Sequence, residues 1–170
     1  MVGGAPTQGL DVSNGVIDKD LGWSRILANL IELDDLAVTV GIHAAEGEEE
    51  DESGTTIAEY AAYNEFGTEH IPERPWMRSN ADENEAKYNG LIDGAIDKVL
   101  QGASPRAALA AVGVEVRNDL IDSIHDEDKY EPLADSTIAR KRSSKPLRDT
   151  GAMQRAITVS VRPYASVGDE

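Results

Sequence analysis

The run LIDGAIDKVLQGASPRAALAAV, residues 91–112, decides the fold. Leu91, Ile92, Ala95, Ile96, Val99 and Leu100 recur every three or four positions, the period of one helix face. Gly102 stops that pattern, and Ser104-Pro105 restarts it: Ser accepts an orphan N–H as N-cap, and Pro fits the first helical position. Leu109, Val112, Val116, Leu120 and Ile124 then keep the same period. Upstream, Ser79 with Asp82 is the expected start of the first helix, and Tyr88 joins its apolar face. Two long helices joined by so short a link fold back as an antiparallel pair.

Strand signals lie on both sides of this pair. Leu36, Val38, Val40 and Ile42 alternate with Ala37, Thr39, Gly41 and His43, which is a strand with one buried face. Ile157, Val159 and Val161 alternate again, and Pro163 ends that last strand. Before the first strand, Asp20 is a candidate N-cap, and Leu21, Trp23, Leu27, Leu30 and Ile31 fit one face of a short helix that Asp34-Asp35 closes. Thr56 and Glu59 form a capping box for a helix running to Glu65, with Gly67 placed to end it in the left-handed conformation. Ile71 to Arg78 reads as extended, edge-strand backbone, because Pro72 and Pro75 remove donors and disfavour helix before them. Residues 126–150 have few large apolar side chains and two prolines, so a long loop is expected. The elements do not alternate regularly. The class is therefore α+β: a small mixed or antiparallel sheet packed against two long helices, with extended loops. One domain spans 16–162, between an arm (1–15) and a tail (163–170).

Charge is the strongest compositional signal. The 170 residues carry 32 Asp and Glu against 16 Lys and Arg, a net charge of −16, which repels nucleic acid wherever basic residues do not cluster. Excess acid with only six lysines points to a halophilic host, because at ~1 M salt the Debye length is about 3 Å and self-repulsion is screened. An ordinary acidic mesophilic protein is the alternative. Residues 46–54 hold six carboxylates and two glycines and read as a solvated acidic loop. The chain has no cysteine, which excludes disulfides and thiolate metal sites. No apolar run approaches the roughly 20 residues of a membrane helix, and the N-terminus lacks a signal-peptide pattern. The expectation is a protein made in the host cytoplasm, with no membrane partner.

No phosphate loop, His-Glu-x-x-His or Gly-x-Ser-x-Gly occurs, and His43, His70 and His125 lack ligand spacing. No catalytic, metal or cofactor residue is assigned, no cofactor is expected, and the chain does not read as an enzyme. One basic segment stands out: Arg140, Lys141, Arg142, Lys145 and Arg148, with no acid between Ser136 and Arg148. It reads as an arm for an acidic neighbour or DNA, against the blander reading of a flexible basic loop. Phe66, Arg74 and Trp76 flank or belong to a stiff Pro-rich stretch and are residue types that anchor interfaces; the alternative is that they cap a small core.

Three segments in order carry a resemblance. They are Ile57-Ala58 through Asn64-Glu65-Phe66-Gly67-Thr68; Ile71-Pro72-x-Arg74-Pro75-Trp76-Met77-Arg78; and Pro132-Leu133 through Thr137-Ile138-Ala139-Arg140-Lys141, then Ser143-Ser144-x-Pro146-Leu147-x-Asp149-Thr150-Gly151. Asp18-Lys19-Asp20-Leu21-Gly22-Trp23 and Val38-Thr39-Val40-Gly41-Ile42 fit the same pattern. Together they resemble the tail-completion (head–tail joining, neck) proteins of long-tailed phages and proviruses, over residues 16–162. The chain departs from that pattern at Trp76, usually Phe, at Glu131, usually Pro, and at Arg142, usually Gly. The resemblance implies a structural virion protein between the head connector and the tail-tube proteins, expected as a ring of six copies around a channel through which genome DNA passes without sequence-specific binding. The tail terminator, the ring that ends tube growth, is the alternative role, and an acidic DNA mimic is the alternative from another class. On this reading the partner-facing residues are Phe66, Arg74, Trp76, Arg140, Lys141, Arg142, Lys145 and Arg148, and Trp76→Ala is expected to leave the monomer folded.

Overall fold

The computed structural model describes residues 12–13, 16–17, 22–50, 54–140, 144–148 and 150–168. Its frame is the helix pair. α4 (Trp76–Leu100) and α5 (Pro105–His125) run antiparallel: Ser123 Oγ donates to the Trp76 carbonyl at one end, Lys87 Nζ lies 2.6 Å from Asp119 near the middle, and Ala95 and Val99 pack with Ala108 and Val112 towards the other. Ser104 caps α5 through the Ala107 N–H, with Pro105 at the first helical position.

β3 (Leu36–Ile42) and β4 (Ile157–Pro163) form an antiparallel two-stranded sheet over α5, in the register Val40 opposite Val159. Gly113 sets the approach of helix and sheet: a Cβ there would stand 2.8 Å from Val38 Cγ2 and closer still to Val159 Cγ1. The mixed α+β class, with a small antiparallel sheet packed on two long helices, is thus the observed architecture. A second short sheet pairs β1 (Val12–Ser13) with β2 (Val16–Ile17).

The rest fills in around this frame. α1 (Trp23–Asp34) sends Leu30 and Leu33 into the cluster around Val99. Three other apolar residues do not share that face: Trp23, Leu27 and Ile31 point outward at 63%, 41% and 67% exposure, so the helix carries two apolar stripes rather than one. After the short α2 (Ala44–Gly47), α3 (Ile57–Phe66) opens with the capping box, Thr56 and Glu59 bonding reciprocally. Gly67 ends it at φ 71° and ψ 172°, a positive-φ turn outside the left-handed helical well that the sequence reading assigned. α7 (Ala152–Ala156) leads into β4.

The main core gathers Ile57 and Ala61 of α3, Trp76, Leu120 and Ile124 of α5, and Met153, Ala156 and Ile157. Two parts of the sequence reading change here. The extended segment ends at Pro75, because Trp76, Met77 and Arg78 form the first turn of α4. Residues 126–150 are also not simply a loop: a 3₁₀ turn (Glu127–Lys129) and α6 (Asp135–Arg140) interrupt them, and Tyr130 and Leu147 belong to the core. Those two large side chains supply the anchoring that the segment's sparse apolar content hid.

Candidate interaction surfaces

The motif between α3 and α4 is built from the inside. Glu65 sits at the C-terminal end of α3, where the helix dipole disfavours a carboxylate. Its side chain, only 4% exposed, turns away to the start of α4 instead. There it accepts from the Met77 N–H at 2.9 Å, the Arg78 N–H at 3.0 Å and Arg78 Nε at 2.9 Å. Pro75 precedes the helix and has no capping side chain, so Glu65 satisfies orphan donors of α4 from a different helix. Asn64 holds the same junction: its backbone carbonyl accepts the Arg74 N–H at 2.7 Å while its side chain donates to Tyr60. Thr68 closes the intervening turn, accepting from the N–H groups of His70 and Ile71.

Arg74 is buried, and its Nε and Nη2 both donate to the Glu131 carbonyl at 3.1 Å. Burial pulls its pKa down, with Tyr60 and Glu131 opposing. This tie fastens residue 131 to the motif. Trp76 is 0% exposed, with α5 and α7 residues in its cluster. The partner-facing role expected for Arg74 and Trp76 is therefore corrected: neither is reachable from outside this chain, and both belong to the packing of the α3–α4 junction. The expectation that Trp76→Ala leaves the monomer folded falls with it, because the substitution opens a cavity in the main core.

Phe66 does lie at the surface, 66% exposed, with the Arg78 guanidinium 4.9 Å from its ring centre. Hydrogen bonds to Glu65, then Glu73, raise the Arg78 pKa further. In the basic segment, Arg140 closes α6, and Lys141 and Arg142 lie outside the described residues. Lys145 and Arg148 are half-buried on either side of the buried Pro146-Leu147 pair, so the basic run is pinned at this end by Leu147. Of the eight expected partner residues, the structure joins Arg74 and Trp76 inside, sets Phe66 beside them on the surface, and places Lys145 and Arg148 in a separate stretch. Of the expected acidic loop, 51–53 lie outside the described residues; Glu48, Glu49 and Glu50 are exposed.

Sequence reading missed Glu65 and Asn64 as the holders of this junction. The available signal was a carboxylate in the last turn of a helix, where it is unfavourable unless something else engages it. Two of the three histidines make structural contacts: His43 bridges Thr39 Oγ1 (2.9 Å) and Thr158 Oγ1 (2.8 Å), and His125 meets Gln154. Among the described residues no three His, Asp or Glu side chains converge on a common point that would hold a metal ion. No helix among them is long and apolar enough to cross a membrane.

The outer surface carries large apolar groups in rows. Trp23, Leu27 and Ile31 on α1 and Ile92, Ile96 and Leu100 on α4 each recur every four residues, and all are more than a third exposed, as is Tyr164. What fold and surface define is a small two-layer α+β chain with a thin sheet, a strongly acidic composition and unpaired apolar rows. No protein-family profile, curated protein or solved structure matches the chain.

Proposed function

We propose that this chain is a structural subunit of the neck of a tailed virus, one copy in a ring that joins the head connector to the tail. One observation carries the reading: a chain of net charge −16 leaves two helical rows of large apolar side chains, on α1 and α4, facing outward. Scattered exposed apolar residues are ordinary, but periodic rows on elements that pack against each other mark surfaces that another protein covers. The motif order resembling tail-completion proteins supports the same conclusion, and the residues of that order act as a unit here: Asn64 and Glu65 hold Arg74, Met77 and Arg78, and Arg74 holds Glu131.

The chemistry suits a passive collar. An acidic lining repels phosphate, so DNA moves past without adhering. A closed ring of like copies needs two different matching surfaces on each, and the basic segment around Lys145 with the acidic stretch around Glu48 is one such pair. The copies are expected to number six. The test is to purify particles from a producing host, identify their proteins by mass spectrometry, and locate the chain by imaging with a bound antibody fragment. The reading requires it in mature particles, at the junction of head and tail; a position at the distal end of the neck, on the tail tube, assigns the terminator role instead. Particles that lack the chain refute both.

A further inference from the structure

Among the described residues, no strand pairs with the outer edge of β3. The bond from the Tyr164 N–H to the Asp35 carbonyl fixes which pairs face each other: 37, 39 and 41 bond across to 162, 160 and 158. Leu36, Val38, Val40 and Ile42 therefore turn their N–H and C=O groups to the outer side of β3. On β4 the equivalent groups point to its own outer side, and that edge is blocked. Arg117 Nε donates to the Ile157 carbonyl at 2.6 Å, Arg106 Nη1 reaches the Val161 carbonyl, and Pro163 has no N–H to offer. β3, Leu-Ala-Val-Thr-Val-Gly-Ile, has no charge and no proline, and among the described residues no arginine donates to its outward carbonyls. Such an edge is a template for another strand unless it is covered.

There is room for the cover. Two grooves run along β3, the first walled on its far side by α3 and the first turn of α4, the second by α1 and the middle of α4. One, of about 500 Å³, lies between Thr39–His43 and the α3–α4 junction; the other, of about 570 Å³, lies between Leu36 and Val38 and the exposed Ile92 and Ile96. The reason for the gap is one of width. Packed helices lie about 8–10 Å apart and strands about 4.8 Å apart, so a two-stranded sheet covers roughly one helix of the pair. Covering the second takes two more strands.

The chain contains two strands that match. Among the described residues, β1 and β2 pair only with each other, and β3 pairs only with β4. A two-stranded hairpin is marginal by itself in water and gains stability from a third strand. We propose that the β1–β2 hairpin of one copy adds to the open edge of β3 on the next copy, across α4, making a four-stranded sheet that spans the two. Main-chain bonds to Leu36, Val38, Val40 and Ile42 hold it, and the added strands lie over the Ile92 and Ile96 row. The donor and acceptor surfaces differ, so the contact repeats head to tail; its closure into a ring rests on the neck reading above.

Cysteine pairs test this directly, because the chain has no cysteine of its own. Ser13→Cys is combined in turn with Ala37→Cys and with Thr39→Cys, whose side chains stand on the sheet face away from α5. The full-length variants are oxidised at increasing concentration and run without reductant. A ladder of covalent dimers and higher species in at least one pair, absent from each single variant, is the expected result. A faster-migrating monomer alone means that the hairpin folds onto its own β3, and no cross-link in either pair means that it does not reach the edge; each overturns the proposal. As a second reading, Val12→Asp with Val16→Asp is expected to reduce the sedimenting species to a monomer at an unchanged melting temperature. Oligomers that persist with these charges overturn strand exchange while leaving the neck reading intact, whereas a cross-linked ladder from a chain missing in particles overturns only the neck reading.

Discussion

Replacing Glu65 by alanine removes the cap that starts α4 from outside the helix. Three donors lose their acceptor: the N–H groups of Met77 and Arg78, and Arg78 Nε. Arg78 is half exposed and recovers water, so the salt bridge itself is given little weight. The two backbone donors are different, because the carboxylate they meet is only 4% exposed and among the described residues nothing nearby replaces it. Loss of a helix cap costs about 0.5–2 kcal/mol, and a buried donor left unpaired about 1–3 kcal/mol. Together these give a loss of about 2–4 kcal/mol for Glu65→Ala. At roughly 2–4 °C per kcal/mol for a chain of this size, the melting temperature falls by roughly 5–15 °C. Glu65→Gln keeps one oxygen for a backbone N–H and is expected to lie between the two. The assay is urea unfolding followed by circular dichroism, with calorimetry for the melting temperature, at one fixed salt concentration. A Glu65→Ala protein within 0.5 kcal/mol of the parent would refute the idea that this carboxylate anchors the helix pair to α3.

Trp76→Ala is expected to destabilise the isolated chain by about 3–5 kcal/mol, the range for emptying a large aromatic site in a packed core; a small change in urea midpoint would return Trp76 to the list of partner-facing groups. Alkaline pH provides a second handle. Burial, ahead of other causes, pushes the phenols of Tyr88 and Tyr130 up, whereas an unfolded phenol titrates near pH ~10. Above that pH the unfolded chain releases these protons and the folded chain keeps them, so the stability they lend is complete below pH ~10 and declines as pH rises beyond it. Tyr88→Phe with Tyr130→Phe should flatten the fall in stability between pH 9.5 and 11.5, and equal slopes in parent and variant would contradict the assignment. Reversing the charges of Arg140, Lys141 and Arg142 is expected to block particle assembly without changing the melting temperature; a normal yield of infectious particles removes the basic segment from the assembly surfaces.

Local chemistry made much of the fold legible. Alternation from Leu36 to Ile42 and from Ile157 to Val161 marked both long strands, because a strand buried on one face must show period two. Ser104-Pro105 and the Thr56–Glu59 box marked two helix starts, since capping is read within four residues. The start of α4 was read three residues late for the opposite reason. By local rules, prolines at 72 and 75 extend the backbone, and no nearby side chain caps the first turn of α4; its Met77 and Arg78 N–H groups are met by Glu65, brought there by α3. Of the expected site, Phe66 was legible as a surface aromatic, while Arg74 and Trp76 were placed outside when they are inside. Residue type alone does not separate an interface anchor from a core anchor, because both need a large side chain that excludes water.

The sequence by itself determined the periods, the caps and the charge, and with them the helix pair, the two long strands and the acidic character. Those properties arise between residues a few positions apart, where spacing along the chain is also spacing in space. Only the tertiary structure decided which apolar stripe of α1 turns inward, which edge of the sheet Arg106 and Arg117 close, and that β3 has no second partner strand among the described residues. Each of those depends on a contact between segments far apart in the chain, and burial is settled by what the whole fold places opposite a side chain.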